Sequence, residues 1–140
     1  METTLTTRWL LLALLVHPGS TDPFPDEPAQ LIIYRQKEFG GGTYTIHVNE
    51  KKIGSLPPNR YVRLTVSPGR VRIQSGMGYY ADKQTVLLTL QSGGTYYIKA
   101  VEEMDFLTRT LLMAPVAEEQ ALREMGKLRR IQPNSPDQPY

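Results

Sequence analysis

The chain contains no cysteine. That one absence excludes disulfides, thiolate metal sites, a cysteine nucleophile and a lipid-modified cysteine together. A dominant charge is missing as well: 16 basic and 14 acidic residues leave a formal net charge of +2. Because these charges are spread along the chain without a polybasic run, the electrostatic footprint of a nucleic-acid-binding protein is absent. There is also no apolar run near the roughly 20 residues that a membrane-spanning helix needs. What remains is 140 residues of ordinary globular composition, 40% hydrophobic and 21% charged, which is enough for one domain around a single core.

The N-terminus carries a targeting pattern. Arg8 precedes the apolar run WLLLALLV (residues 9–16), which stops at His17, Pro18, Gly19 and Ser20. A short apolar segment behind a basic residue and ahead of helix-breaking and small residues reads as a secretory signal spanning residues 1–20. Export to the periplasm or cell envelope is therefore expected, without lipidation because no thiol is present. A retained inner-membrane anchor is the alternative. Residues 21–29 hold three prolines and three acids and read as an extended linker.

From residue 30 the pattern is that of strands. LIIYR ends at charge and then at Gly40, Gly41 and Gly42. TYTIHV (43–48) places Tyr44, Ile46 and Val48 on one face and His47 on the other, and a polar turn returns the chain through KIGSL (52–56) as a hairpin. RYVRLTV (60–66) alternates again, with Val62, Leu64 and Val66 inward. Pro68 and Gly69 then supply the fixed and the positive φ of a tight turn into RVRIQ (70–74). TVLLTL (85–90), a turn over 91–94 and TYYIKAV (95–101) predict another hairpin, and FLTRTLLMA (106–114) a last strand, with helix as the competing reading. Beyond Pro115 the period changes: Ala117, Ala121, Leu122, Met125 and Leu128 form a helical stripe with acids in the first turn and bases in the last. The expected fold is mainly β, an antiparallel β-sandwich of about seven or eight strands over residues 30–130 with a C-terminal α-helix. Residues 131–140 contain three prolines and are expected to be a disordered tail.

The succession LIIYR, TYTIHVNEKKIGSL, RYVRLTVSPGRVRI and LTLQSGGTYYIKAV resembles small bacterial envelope proteins, many of them lipoproteins, grouped as a domain of unknown function. The shared pattern is a Tyr-Arg strand, a hairpin ending in Ile-Gly-x-Leu, a Pro-Gly turn and a Gly-x-Tyr-Tyr strand, over about residues 30–130. The hairpin and Pro-Gly turn also resemble the PEGA-type surface β-module. The resemblance implies an envelope β-sandwich without established chemistry, so no catalytic residue is transferred. Where many such proteins have a lipobox cysteine, this chain has His17-Pro18-Gly19-Ser20.

Chemistry-bearing patterns are sparse. His47 is the sole histidine outside the signal-like segment and has no partners at the spacing of a metal site or a Ser-His-Asp relay. Neither G-x-S-x-G nor a phosphate-binding loop is present, and the triple glycine reads as a flexible turn. Glu102, Glu103 and Asp105 lack the glycine and spacing of a calcium loop and read as solvated. No catalytic residue, metal or cofactor is assigned. Two candidate binding features remain. Tyr79 and Tyr80 sit on a glycine-flanked loop and offer rigid contact area with polar tips. Arg63, Arg70 and Arg72 are on non-core faces of strands joined by the Pro-Gly turn, and are expected to form one basic patch, with Arg60 nearby, suited to anionic headgroups or acidic polymers. The expected function is a non-enzymatic envelope module that binds a protein, cell-wall component or lipid surface, of unknown oligomeric state. A small periplasmic hydrolase or metal-dependent enzyme, with residues meeting only in the fold, is the alternative.

Overall fold

The computed structural model describes residues 27–76, 83–134 and 139–140, and nine strands and one helix lie within them. The strands are β1 (Ala29–Arg35), β2 (Tyr44–Val48), β3 (Lys51–Leu56), β4 (Arg60–Val66), β5 (Gly69–Gly76), β6 (Gln84–Leu90), β7 (Thr95–Met104), β8 (Arg109–Val116) and β9 (Arg129–Ile131). The helix α1 (Glu118–Met125) lies between β8 and β9. One sheet has the order β8-β7-β1-β4-β9 and the other β3-β2-β5-β6. The inner faces of the two sheets share one core, in which Leu31, Ile33, Val62, Leu64 and Ile98 from the first meet Tyr44, Ile46, Val48, Val71 and Ile73 from the second. The mainly β architecture with a helix near the C-terminus is thus present, with one strand more than expected.

Period-two alternation explains which residues reach that core. In β4 and β5 every second residue is buried and its neighbours are not, as strands with one wet face require. β1 differs, being buried along nearly its whole length. It is the central strand of its sheet, antiparallel to β4 and parallel to β7. Leu31 and Ile33 face the second sheet, and Ile32 and Tyr34 belong to a smaller cluster with Tyr97 and Ala121 beneath α1. The molecule is therefore three layers deep over β1, with helix, sheet and sheet in turn.

The β2–β3 hairpin forms as expected. Asn49 and Glu50 both have positive φ, 47° and 69°, as a two-residue type I′ turn requires. The Asn49 side chain accepts the Arg72 N–H at 3.0 Å, and the Asn49 N–H donates to the Arg72 carbonyl at 2.9 Å, fixing the turn to β5. The other expected hairpin does not form, and the Pro68-Gly69 turn does not join neighbours of one sheet. Residues 67–69 carry the chain from β4 in one sheet to β5 in the other, and residues 91–94 carry it from β6 to β7. Gly69 has the positive φ predicted for it, 115°, but here the bend joins layers. A tight bend fixes a change of direction, and both sheet pairing and sheet crossing are compatible with it.

The C-terminal part also departs from expectation. α1 ends at Met125, and its stripe is only partly buried: Ala121, Met125 and Leu128 pack on the sheet while Leu122 stays 57% exposed. Arg129 to Ile131 leave the helical course to pair in parallel with β4. Within residues 131–140, Asn134 and Tyr140 are held in place. The Asn134 N–H donates to the Ile53 carbonyl at 2.8 Å, and Tyr140 is buried in the core with its backbone bonded to Thr65 and Ser67. At the other end, Ala29, assigned to the linker, opens β1, and the Glu27 carbonyl accepts the Gly93 N–H.

Candidate binding surface

Alternation along β1 continues past its apolar residues. Leu31, Ile33 and Arg35 share a phase, so Arg35 points between the sheets and is fully buried. Burying a guanidinium is costly unless its donors are used. Here Nη1 donates to the Gly42 carbonyl at 2.6 Å and the Leu56 carbonyl at 2.9 Å, and Nη2 donates to Glu38 at 2.6 Å. The guanidinium also lies 5.4 Å from the Tyr44 ring centroid, within cation–π range.

Glu102 of β7 completes this cluster. Its carboxylate accepts the Gly42 N–H at 2.9 Å, stands 3.9 Å from Arg35 and pairs with Arg109 of β8 at 3.3 Å. In return Glu38 accepts the Glu102 N–H at 3.2 Å. Burial, reinforced by the neighbouring Glu102 carboxylate and only partly offset by Arg35 and Arg109, pushes the Tyr44 hydroxyl up to about 12. That hydroxyl makes no direct bond of hydrogen-bonding geometry, so the influence of Glu102 on it is that of a nearby charge. Two cations and two anions thus meet at one end of the sandwich and fasten the β1–β2 loop to β7 and β8. The triple glycine is part of the fastening. A Cβ on Gly41 would come 2.7 Å from Pro58 Cγ and 2.9 Å from Glu38, so this position needs glycine for close approach, whereas Gly40 needs it for a φ of 72°.

What the clasp displays is apolar. Phe39 on the fastened loop and Met104, Phe106 and Leu107 around the β7–β8 turn are exposed by 107%, 67%, 97% and 88% respectively. The turn is closed by the Asp105 N–H donating to the Thr108 carbonyl at 2.9 Å. Arg109, paired across from Met104, reaches the Gly40 carbonyl at 3.4 Å, which places both loops at the same end of the molecule. Glu102, read from sequence as a solvated acid, is a buried member of this clasp, while Glu103 and Asp105 are exposed.

The arginines are not brought together. β4 and β5 belong to different sheets, so their outward residues face opposite sides. Arg63 lies beside α1, where its Nε donates to Gln30 at 3.3 Å, in a shallow groove walled by Ile32, Tyr61, Tyr97, Met125 and Leu128. Arg70 and Arg72 line a separate open groove of about 310 Å³ with Asn49, Leu87 and Thr89, and Glu50 stands 3.9 Å from Arg72. The single basic patch expected from the sequence is therefore two smaller ones on opposite faces. Tyr79 and Tyr80 lie outside the described residues. His47 is on the outer face of β2, beside Glu50, Gln74 and Lys83.

A second polar cluster holds the helix to its sheet. Glu124 accepts from the Tyr34 hydroxyl at 2.7 Å, from Lys99 at 2.9 Å and from Gln120 at 3.1 Å, and Glu118 accepts from the Tyr97 hydroxyl at 3.2 Å. Burial raises the Glu124 pKa, but the hydrogen bonds from Lys99, Tyr34 and Gln120 and the Lys99 charge outweigh it and hold the carboxyl below its usual range. Burial, then the Glu124 carboxylate, raises Tyr34 well above a free phenol.

No protein-family model matches the chain, and a search of curated proteins returns no match. The geometry defines a β-sandwich that carries a braced apolar tip.

Proposed function

We propose that the chain is a non-enzymatic binding module of the bacterial cell envelope, which engages an envelope protein through the tip formed by Phe39, Met104, Phe106 and Leu107. The observation that carries this reading is the tip itself. Large apolar side chains exposed together mark interaction sites more often than scattered ones do, and here the loop bearing Phe39 is tied down by the Arg35–Glu38 pair while the turn bearing Phe106 and Leu107 is flanked by the Glu102–Arg109 pair. Burying such side chains contributes about 1.5–3 kcal/mol each, and a rigid support reduces the ordering cost of binding. The envelope assignment draws on Arg8 with the apolar run 9–16 and on the ordered motifs of residues 30–101. Tyr79 and Tyr80 are a second proposed contact.

Photo-crosslinking in cells tests the reading, with the reactive group placed at Phe39 or Phe106 and, as control, at the exposed Lys127 of the helix end. A discrete adduct from both tip positions and none from the control is expected. The double variant Phe39→Ser/Phe106→Ser should melt within a few degrees of the parent, because exposed substitutions cost about 0.5 kcal/mol or less, yet lose the adduct. An undiminished adduct in that variant would remove the tip from the function. N-terminal sequencing of the periplasmic fraction should find a mature chain beginning near Ser20.

A further inference from the structure

Sheet edges expose unpaired backbone groups, and soluble proteins blunt them. The two sheets have four edge strands, β8, β9, β3 and β6, and three carry a recognisable device. β9 is three residues long and begins with two exposed arginines. β3 begins with the exposed Lys51 and Lys52 and has a bulge opposite Ile46 and His47, and its Lys52 and Ile53 carbonyls are taken by Asn134 at 3.3 and 2.8 Å. β8 starts at Arg109 and contains Pro115, which has no N–H to offer.

β6 has none of these. Its seven residues, Gln84-Thr85-Val86-Leu87-Leu88-Thr89-Leu90, include no charge, no proline and no glycine, and its pairing with β5 runs unbroken from Gln84 to Leu90. No described segment pairs with its outer edge. Leu87, at its centre, is 74% exposed.

The strand is also complementary to itself. If two copies pair antiparallel about Leu87, then Thr85 stands opposite Thr89, Val86 opposite Leu88 and Leu87 opposite its own copy. The exposed face of the strand, Thr85, Leu87 and Thr89, would then present Thr–Thr pairs flanking a Leu–Leu pair, and the half-buried face an aliphatic pair. Both kinds of cross-strand neighbour stabilise antiparallel sheets, and no like charges are opposed.

We infer that this chain forms a two-fold symmetric dimer by antiparallel pairing of β6 with β6 of a second copy, which joins the two four-stranded sheets into one of eight strands. The occupant is a second copy because residues 85–89 match their own reverse about Leu87 in residue class, Thr with Thr and Val with Leu. Such pairing is isologous and closes at two chains, which uses up the one edge that lacks a guard among the described residues. β8 lies next to β6 in the other layer, and its partly exposed Leu112 lines the same groove as Gln84.

Light scattering and sedimentation of the purified full-length chain test the inference. The wild type should show twice the chain mass of 15.9 kDa at high micromolar concentration. Leu87→Lys, which opposes two ammonium groups on the two-fold axis, should weaken association at least tenfold and leave the circular dichroism unchanged. The register is tested by a charge swap at exposed positions. Thr85→Lys/Thr89→Lys and Thr85→Glu/Thr89→Glu should each be monomeric, and mixing them should restore the doubled mass, because each lysine then faces a glutamate. This pair carries the test should Leu87→Lys fail to fold. A single-chain mass for the wild type at all concentrations, a dimer that survives the edge charges, or a mixture that stays monomeric would each overturn the proposal.

Discussion

Replacing Arg35 by methionine tests whether the buried clasp holds this end of the sandwich together. Methionine keeps most of the apolar stem that packs between the sheets and removes the guanidinium. The Gly42 and Leu56 carbonyls then lose donors at 2.6 and 2.9 Å, and Glu38 loses its partner at 2.6 Å. Glu102, almost fully buried, then keeps only Arg109, at 3.3 Å, as a counter-charge among the described residues. Removing one member of a buried ion pair costs about 3–5 kcal/mol, chiefly because the remaining charge is left uncompensated. At about 4 °C of melting temperature per kcal/mol for a domain of this size, the expected fall is about 12–20 °C. Urea unfolding should show a lower midpoint with an unchanged slope. The Gly42 amide, which donates to Glu102 within the clasp, should exchange with solvent faster than the amides of β4. Adding Glu102→Gln to Arg35→Met should cost less than the sum of the two single changes, by at least about 1 kcal/mol, since both act through one network. A melting temperature within 5 °C of wild type, or strict additivity of the pair, would refute the claim that the cluster acts as a unit.

Three further outcomes follow from other parts of the fold. Gly41→Ala should lower stability by about 1–3 kcal/mol in thermal melts, because its Cβ would press on Pro58, Glu38 and Arg35 within a close-packed site. Leu64→Asp should abolish cooperative unfolding by placing a carboxylate in the shared core, while His47→Ala on the outer face should melt within a few degrees of the parent, and the reverse order would mean the faces are misassigned. Because the folded-state pKa of Glu124 is held below its ordinary value of 4.5, its contribution to stability is complete above that pH and is lost as pH falls through the lowered value; Glu124→Gln should therefore flatten the drop in melting temperature between pH 6 and pH 3, and an equally steep drop in the variant would show that the helix clamp is not its cause.

Much of this architecture was legible in the sequence because strand periodicity is local. Alternation over 43–48 and 60–66 identified Tyr44, Ile46, Val48, Val62, Leu64 and Val66 as core residues, and all six are buried. The polar turn, read over residues 49–51, and the helical stripe after Pro115 were equally readable, since each follows from the conformational preferences of a few neighbouring residues. Arg35 was within reach too: it continues the phase of Leu31 and Ile33, although a charge at the end of an apolar run reads as the strand's end. Its partners were not within reach, because Glu102 and Arg109 are more than sixty positions away along the chain and nothing local marks them as buried.

The sequence by itself determined which residues form β1 to β8, which side of most of these strands is buried and where the chain must bend. Only the tertiary structure decided which strands are neighbours. Pro68-Gly69 and residues 91–94 turn the chain equally well within a sheet or between sheets, and the choice rests on how the whole apolar surface is covered most completely. That choice separated Arg63 from Arg70 and Arg72, set β1 between an antiparallel and a parallel neighbour, drew residues 129–131 out of the helical course to extend the sheet beside β4, and left β6 as the one edge without a guard among the described residues. Periodicity constrains a residue's angle about its own strand, whereas neighbourhood depends on burial summed over the entire chain, and no short window of sequence contains that sum.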